Sequence, residues 1–505
     1  MNVLKFSLRD DEPARTAVAA VVLLLLLVSL RSLVFIFWGQ AHFDADQAIL
    51  GLMAYDISRL HGLVLFFYGQ KYLLGILDWL AAPLFLLFGP SVSALKFPLL
   101  LLNAGAIFLL FRHLREDARL KSTAAALCCL ILAVPSVAIA SRLVEAQGGN
   151  IEPILAVLLL WAFRGSPITA GFIAAIGYLN REFTLYGIIA LFILQFPRSR
   201  SEVRPFLKNW AIAAIVAVVT RQVFRRLARI SLNYFAISAP KPELQPWSEI
   251  SINWNYFVSH LLPSLFGAEV QPLSAFNILS AETSGSFAAG LSLVVAVCAA
   301  LILALQLRKS LWSNQQAQFP LFLILTGFLS ALSFILFRIG VRDLMCVKYV
   351  LLFLFFPIGI IALGFQAQHH RRLLVLVAGG LLVWAASNMF DHLKLWQEYL
   401  VQTPRDEIAA LESALLERKL KCGSAPYWTA YPLAFQSLGR LKVASSTAVR
   451  IPEFQSAVEQ CQEQKFWIGD TPECRNAEKI ERWYLCTEDP TRKLSRSHRK
   501  HSRLG

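Results

Sequence analysis

Two aspartates stand at the start of the polar stretch that follows the first long apolar segment. Asp44 and Asp46 lie between His42 and Gln47. A carboxylate at a membrane surface suits a reaction in which a hydroxyl attacks while a lipid-linked phosphate leaves, because the hydroxyl loses a proton as the bond forms. We therefore predict Asp46 as the catalytic base and Asp44 as its alternate. The other interpretation is that both residues only cap the following helix, which aspartate does well.

The element that must hold Asp46 in place is a helix that begins at these aspartates. Ile49, Leu52, Met53 and Leu60 share one side at helical spacing, which predicts an amphipathic helix lying in the membrane interface. The apolar run that ends at 88–90 is interpreted as a second interfacial or re-entrant helix. Counting it as a span would invert the charge pattern of every later loop.

The composition of the whole chain requires lipid as the main solvent. Of 505 residues, 56% are hydrophobic and only 16% are charged, and the mean hydropathy is +0.54. This balance excludes an ordinary water-soluble domain and predicts an all-α polytopic membrane domain over 1–390. About eleven spans are expected: 16–38, 95–112, 122–141, 150–164, 166–180, 183–197, 210–224, 286–307, 319–338, 344–366 and 372–390.

The net charge of +15 reflects membrane topology and not nucleic-acid binding. Lysine and arginine cluster in short loops that fall on one side when the N-terminus is placed in the cytoplasm, as the positive-inside rule requires. This assignment places 39–94, 225–285 and 391–505 outside, in the periplasm of a bacterial inner membrane. The basic tail 491–505 is predicted to be disordered.

Four cysteines mark the polar C-terminal region as a separate domain. Cys422, Cys461, Cys474 and Cys486 are even in number and could form two disulfides, with three pairings open. Disulfides favour an oxidising compartment, which agrees with the topology derived from charge. A short helical stretch and strand-like segments predict a small α/β domain over 391–490.

Several charged residues at membrane depth are candidates for binding an anionic substrate. Arg221 and Arg225 fall at the outer end of the seventh span, where they break the charge rule; they mark either a miscounted span or an anion site. Arg181 and Glu182 interrupt 166–197 and form either a structural pair or part of the site. The segment that they interrupt is one broken helix or a tight pair of helices.

Two further charged residues lie in or beside apolar segments and have other expected roles. Glu152 lies beside the glycine pair at 148–149, so it is either a second acidic site residue or part of a solvated turn. Arg31, in the outer third of the first span, is expected to extend its charged end toward the interface.

The ordered motifs of the chain resemble those of the glycosyltransferase C superfamily, whose members are polytopic enzymes that use polyprenyl-phosphate sugars. Protein O-mannosyltransferases and aminoarabinose transferases are examples. The motifs that carry this resemblance are Asp46-Gln47-Ala48, Gly51-Leu52-Met53-Ala54, Phe67-Tyr68-Gly69-Gln70-Lys71-Tyr72, Phe88-Gly89, Gly148-Gly149-Asn150-Ile151-Glu152, Tyr427-Trp428-Thr429-Ala430-Tyr431 and Arg450-Ile451-Pro452.

The resemblance implies roles for particular residues. Asp46 becomes the base of an inverting transfer, and Gln47 replaces the acidic residue that often follows it, which weakens any metal site. No cofactor is therefore assigned, and a divalent cation stays an open alternative. No other residue spacing indicates a metal site. Substrate-binding residues implied by the motifs or by the need to bind the leaving phosphate are Tyr68, Gln70, Lys71, Arg338, Arg342, Lys348 and Tyr349.

The function expected from this resemblance is transfer of a sugar from a polyprenyl-phosphate carrier to a periplasmic acceptor. The acceptor class, whether glycolipid, polysaccharide or protein, stays open. One alternative is a polymerase or ligase of lipid-linked glycans, which would use a diphosphate donor. Another is a transporter or flippase in which Arg181 and Glu182 form a gating pair.

Overall fold

The computed structural model describes 14–70, 72–147, 149–233, 243–267, 287–306, 314–338, 342, 344–367, 370–472, 474 and 476–487. Lys71, Gly148 and the basic tail 491–505 lie outside the described residues. Nineteen α-helices and five strands have their bounds within these residues.

The first ten helices are α1 (Ala14–Phe37), α2 (Ala45–Ser58), α3 (Leu77–Phe88), α4 (Val92–Glu116), α5 (Ser122–Ala133), α6 (Val137–Leu143), α7 (Ile151–Ala162), α8 (Pro167–Asn180), α9 (Thr184–Gln195) and α10 (Arg200–Ala228). The others are α11 (Trp247–Tyr256), α12 (Leu262–Leu265), α13 (Phe287–Gln306), α14 (Gln318–Phe337), α15 (Phe355–Ala367), α16 (Arg371–Val401), α17 (Glu407–Glu417), α18 (Tyr427–Ser437) and α19 (Pro452–Glu459). The strands are β1 (Cys422–Ala425), β2 (Lys442–Ser445), β3 (Lys465–Gly469), β4 (Glu478–Ile480) and β5 (Trp483–Cys486).

The chain divides into two compact units. The first unit comprises Met1–Trp38, Lys96–Arg226 and Pro240–Thr403, and the second comprises Gly39–Leu95, Leu227–Ala239 and Pro404–Gly505. Helix α16 runs past residue 390 and ends at Val401, so the C-terminal division lies between Thr403 and Pro404 and not at 390. The loop after the first span belongs to the same unit as the C-terminal domain.

The chain is a multi-pass membrane protein. Among the described residues, seven helices are long and apolar enough to cross a bilayer, or eight if one bent pair counts as a single span. Helices α7, α8 and α9 have 12 to 14 residues, which corresponds to about 18–21 Å and is shorter than a hydrocarbon core of about 30 Å. The expected count of eleven spans therefore stays a prediction.

Small residues allow the long helices of the first unit to approach closely. Helix α13 packs against α15 and α16. A Cβ atom on Gly364 would lie 2.8 Å from the Cα of Ala300, and one on Gly380 would lie 2.6 Å from the carbonyl oxygen of Ser292. Close backbone contact of this kind supplies the van der Waals attraction that holds helices together in lipid.

The predicted span 122–141 is wrong as a single helix, because α5 and α6 meet at an angle of 84°. Pro135 and Ser136 follow α5, and Ser136 begins α6 by accepting the N–H of Ile139 at 3.4 Å. A proline cannot donate to the helix and disfavours helical geometry in the residue before it. The break leaves carbonyl groups that need donors from elsewhere.

Donors for these carbonyls come from three buried side chains. Arg31 Nε donates to the carbonyl of Ala133 at 3.1 Å, and its Nη2 donates to Asn103 Oδ1 at 2.6 Å. Asn388 Nδ2 donates to the carbonyl of Val134 at 3.2 Å, and His392 Nε2 lies 2.9 Å from the carbonyl oxygen of Pro135. The expectation that Arg31 extends to the interface is wrong: the residue is fully buried.

In the second unit, α2 is a core helix. Ile49, Leu52 and Met53 are buried, and α2 packs against α3 and α18. Leu60 does not share their side, because it lies beyond the helix end and is 89% exposed. A run of apolar residues does not distinguish a protein core from lipid, which explains this difference from the predicted amphipathic helix. Helix α3, in contrast, leaves large apolar side chains exposed near its end, as expected for an interfacial helix: Leu86, Leu87 and Phe88.

The predicted small α/β domain is present and contains a five-stranded sheet with the order β2-β1-β3-β5-β4. Strand β1 pairs in parallel with β2 and β3, whereas β5 pairs antiparallel with β3 and β4. The two disulfides join Cys422 to Cys461 and Cys474 to Cys486. Buried side chains from the sheet, α17 and α18 form one core, among them Leu411, Leu433, Phe466 and Trp483.

Candidate active-site residues

The two aspartates of the predicted site have different environments. Asp44 is buried and is the N-cap of α2, where its Oδ1 accepts the N–H of Gln47 at 2.9 Å. Asp46 lies in the first turn of the helix and is half-buried. The capping role considered for both residues is thus observed for Asp44, and the carboxylate of Asp46 is directed elsewhere.

Asp46 accepts a hydrogen bond from the phenol of Tyr427. Tyr427 is the first residue of α18 and is 8% exposed. Burial, followed by the charge of Asp46, raises the pKa of Tyr427 well above its usual value. The phenol therefore stays protonated at any ordinary pH and acts as a permanent donor to the carboxylate.

Arg450 lies close to the Tyr427 side chain. Its guanidinium carbon is 5.9 Å from the ring centroid of Tyr427 and 5.8 Å from that of Phe67. Its Nη1 donates to the carbonyl of Gly69 at 3.4 Å, and its backbone N–H donates to the hydroxyl of Tyr431 at 2.6 Å. Arg450 thus connects the loop after the first span to α18 within one unit.

Tyr68 and Gln70, which are predicted to bind substrate, form hydrogen bonds within the second unit. Tyr68 is fully buried, and its hydroxyl donates to Asp56 Oδ2 at 2.6 Å. Burial, followed by the charge of Asp56, raises the pKa of Tyr68. Gln70 turns the chain by donating its backbone N–H to the carbonyl of Phe67 at 2.9 Å. Lys71 lies outside the described residues, so its predicted role is unaddressed.

Glu152 and Arg181 lie together in the first unit, around the turn at Gly149. Glu152 is buried, and its Oε2 accepts the N–H groups of Gly149 and Asn150 at 3.0 and 3.1 Å. The Arg181 side chain lies directly against Gly149, where a Cβ atom would be 2.1 Å from the Arg181 Cγ. Arg181 interacts electrostatically with Glu152, whereas Glu182 is exposed. The structure therefore places Arg181 with Glu152, where the sequence suggested a pair with Glu182.

The same turn contains a buried ion pair. Arg142 Nη1 donates to both carboxylate oxygens of Glu145, at 2.7 and 2.9 Å, and Asn150 Nδ2 donates to Glu145 Oε2 at 3.3 Å. Glu145 and Glu152 are each 6% exposed. The interpretation of this segment as a solvated turn is therefore wrong, because opposite charges compensate one another in a buried cluster.

Four residues predicted to bind substrate come from the ends of two successive spans: Arg338, Arg342, Lys348 and Tyr349. Two of their three cations, those of Arg338 and Lys348, lie beside the ring of Tyr349. The guanidinium carbon of Arg338 lies 4.7 Å from the ring centroid of Tyr349, and Lys348 Nζ lies 5.6 Å from it. Phe183 contacts the ring edge-on at 5.7 Å. Two cations beside one ring form a positively charged surface that suits a phosphate group.

The fourth of these residues, Arg342, is engaged in a different interaction. It forms an ion pair with Glu249, and its Nε donates to Asn253 Oδ1 at 2.9 Å. Asn253 in turn donates to the carbonyl groups of Ile335 and Arg338, both at 3.1 Å. Arg342 thus anchors α11 beside the end of α14, a structural role in this arrangement.

Arg221 and Arg225 are exposed on the C-terminal part of α10. The helix continues to Ala228, so both residues are helical and α10 extends beyond both ends of the predicted span 210–224. Cations near a helix C-terminus are stabilised by the helix dipole, which accounts for Arg225 in the last turn. The proposed anion site at these residues stays a prediction.

Some residues with clear partners in the structure had no strong signal in the sequence. Glu249 and Asn253 lie in a segment predicted only as an outer loop, and Arg450 entered only through a motif. The contact of Tyr427 with Asp46 joins residues 381 positions apart, which no local pattern can indicate. Among the described residues, no group of three or more His, Cys, Asp or Glu side chains is arranged to hold a metal ion.

The fold described above is similar to that of two proteins of known structure. The solved structure of ArnT from Cupriavidus metallidurans bound to undecaprenyl phosphate is similar over 94% of this chain and 98% of that chain, with a TM-score of 0.54 and 12% identity. The apo state of the same ArnT gives 0.53 with 11% identity, over 92% of this chain and 98% of that chain.

A third structure is the archaeal oligosaccharyltransferase AglB from Archaeoglobus fulgidus in complex with an inhibitory peptide and a dolichol-phosphate. It has a TM-score of 0.51 and 12% identity, over 90% of this chain and 69% of that chain. No protein-family model matches the sequence, and no curated protein matches it. The comparisons thus establish the fold and leave the activity to be argued from the site.

Proposed function

We propose that this chain is an inverting glycosyltransferase that moves a sugar from a polyprenyl-phosphate carrier to an acceptor at the non-cytoplasmic face of a bacterial inner membrane. The observation that carries the proposal is the half-buried carboxylate of Asp46, which Tyr427 holds at the start of α2. The fold supports it, because two proteins that share this fold were solved with the isoprenoid phosphates undecaprenyl phosphate and dolichol-phosphate.

In the proposed reaction, the acceptor hydroxyl attacks the anomeric carbon of the donor sugar as Asp46 takes its proton. The bond between that carbon and the phosphate oxygen breaks, and the polyprenyl phosphate leaves with the bonding electrons. One displacement gives one inversion at the anomeric carbon. Asp46 supplies only the proton acceptor, a contribution that is typically about 10²–10⁴-fold in rate.

Within the first unit, we propose that Arg338 and Lys348 bind a phosphate group. Both lie against the ring of Tyr349, and two positive charges suit a phosphate anion. Arg181 is balanced electrostatically by Glu152 and is proposed to have a structural role in this unit. Neutralising Arg338 is expected to weaken binding of a polyprenyl phosphate.

The orientation proposed is a cytoplasmic N-terminus and a periplasmic C-terminal domain. The two disulfides, Cys422–Cys461 and Cys474–Cys486, support an oxidising compartment for that domain. The distribution of basic loops supports the same orientation. The sugar and the acceptor are not specified by these observations.

The test compares Asp46→Asn with Asp44→Asn. Purified variants in liposomes are given a panel of polyprenyl-phosphate monosaccharides and a lipid extract as acceptor, and covalent sugar transfer is measured. We expect Asp46→Asn to lose roughly 100-fold or more of the rate. Asp44→Asn is the matched control, because asparagine caps a helix as well as aspartate does.

Two results would contradict the proposal. Transfer by Asp46→Asn at the wild-type rate would remove Asp46 from the role of base. Movement of the lipid-linked substrate across the membrane without covalent transfer would indicate a transporter instead.

A further inference from the structure

Helices α2 and α18 are packed so that their first turns meet. A Cβ atom on Gly51 of α2 would lie 2.6 Å from the ring of Phe435 of α18, so only glycine permits this approach. Phe43, just before α2, also contacts Phe435, with 5.4 Å between ring centroids. This packing brings the second residue of α2, Asp46, to the first residue of α18, Tyr427.

The Tyr427 side chain is fixed in place by the residues around it. Its backbone N–H donates to Thr447 Oγ1 at 3.0 Å, and its ring contacts the ring of Tyr431 edge-on at 5.2 Å. Arg450 is held in turn by Tyr431 and by Gly69. A Cβ atom on Gly69 would lie 2.9 Å from Arg450 Cδ, and its φ of +74° favours glycine. The donor to Asp46 is therefore preorganised by the C-terminal domain.

We propose that Tyr427 is a positioning residue for the base. Its phenol donates a hydrogen bond to Oδ1 of Asp46 and so orients the carboxylate. Oδ2 is then the oxygen that accepts the proton of the acceptor hydroxyl. This inference rests on the proposed function and deepens it. It assigns the C-terminal domain a direct part in catalysis, since α18 supplies the donor. A hydrogen bond from a neutral phenol to a carboxylate favours the ionised form, which is the form a base requires.

The charged groups around Tyr427 are defined by the structure. The charges of Asp46 and Arg450 both affect the pKa of its phenol. The charges of Asp56, Asp78 and Glu453 affect the pKa of Tyr68 instead. Removing the Tyr427 hydroxyl therefore removes a donor from Asp46 without removing a charge. The expected consequence is a slower chemical step with unchanged donor binding, because the carboxylate of Asp46 is no longer oriented by its donor.

The experiment measures kcat and KM for Tyr427→Phe, with Tyr431→Phe as the matched control. Both variants lose one hydroxyl from α18, and only that of Tyr427 contacts Asp46. For Tyr427→Phe we expect kcat to fall roughly tenfold with KM for the donor nearly unchanged. Tyr431→Phe keeps the phenol of Tyr427, so the tenfold loss of kcat is not expected for it.

A second variant keeps the packing intact. Incorporation of 3,5-difluorotyrosine at position 427 keeps the phenol as a donor to Asp46, so kcat is expected to stay close to that of the wild type. A kcat of Tyr427→Phe equal to that of the wild type would overturn the inference.

The outcomes for the proposed function and for this inference can be distinguished. If Asp46→Asn transfers sugar at the wild-type rate, the proposed function fails. If Asp46→Asn is inactive and Tyr427→Phe matches the wild type in kcat, only the role of Tyr427 is refuted. Circular dichroism and thermal unfolding of each variant exclude misfolding as the cause of a lost rate.

Discussion

Replacing Asp78 with asparagine is expected to stabilise the second unit at neutral pH and to have little effect in acid. Asp78 lies in the first turn of α3 and is fully buried. Its carboxylate contacts Gly75: a Cβ atom added to that glycine would lie 2.4 Å from Asp78 Oδ1. Burial raises the pKa of Asp78 from 3.8 to about 7, although hydrogen bonds from the backbone amides of Asp78 and Trp79 lower it in part.

The magnitude follows from this shift in pKa. Below a pH of about 4 the carboxyl is protonated in both the folded and the unfolded chain, so it contributes no pH dependence. Between about 4 and 7 the folded protein keeps a proton that the unfolded chain releases, so the free energy of unfolding falls as the pH rises. Three pKa units at about 1.36 kcal/mol each give about 4 kcal/mol as an upper bound above pH 7. Asparagine does not ionise, so its burial carries no such pH-dependent cost in the free energy of folding.

The assay is thermal unfolding in mild detergent at several pH values between about 5 and 8, with hydrogen exchange of α3 to localise the effect. The midpoint of Asp78→Asn should exceed that of the wild type by an amount that grows with pH. Asp406→Asn is the control, because Asp406 caps α17 in the same unit and asparagine caps equally well. A difference that is independent of pH, or a less stable Asp78→Asn at pH 8, would refute the reasoning.

Two further changes test other parts of the structure. Arg31→Met removes the donor to the carbonyl of Ala133 and should lower the free energy of unfolding by roughly 1–3 kcal/mol; an unchanged midpoint of thermal unfolding would show that the break after α5 does not need Arg31. Trp428 is 53% exposed beside Tyr427, so Trp428→Ala should raise KM for the acceptor about 2- to 10-fold if a sugar stacks there. Trp428→Phe should keep most of the affinity, and an acceptor KM equal to that of wild type in both variants would exclude this contact.

The parts of the fold that follow from apolar length alone were predictable from the sequence. The long spans in α1, α4 and α14, for example, are continuous apolar segments, and a helix satisfies the backbone groups of such a segment within the segment itself. The helix break at Pro135 and Ser136 was missed, although a proline followed by a capping serine inside an apolar run is a usable signal. The burial of Arg31 was not predictable, because its partners, Asn103 and Ala133, are remote in sequence.

The candidate site was only partly predictable, for a related reason. The position of Asp46 at a helix start follows from local sequence, and so does the aromatic character of the segment around Tyr427. Their contact does not, because it depends on the packing of α2 against α18. Arg181 shows the same limit: its sequence neighbour Glu182 is exposed, and its electrostatic partner is Glu152.

The composition of the second unit gives a reason for the C-terminal domain to share a unit with the loop after the first span. A carboxylate at the start of a helix can be held by backbone amides of its own segment, as Asp44 is, and such a carboxylate is already committed to capping. Asp46 has a side-chain donor from the C-terminal part of the unit instead, which leaves its second oxygen for chemistry. The loop and the domain must therefore fold together before the base is complete, and the disulfide at Cys422, in the strand that leads into α18, strengthens the part of the chain on which Tyr427 depends.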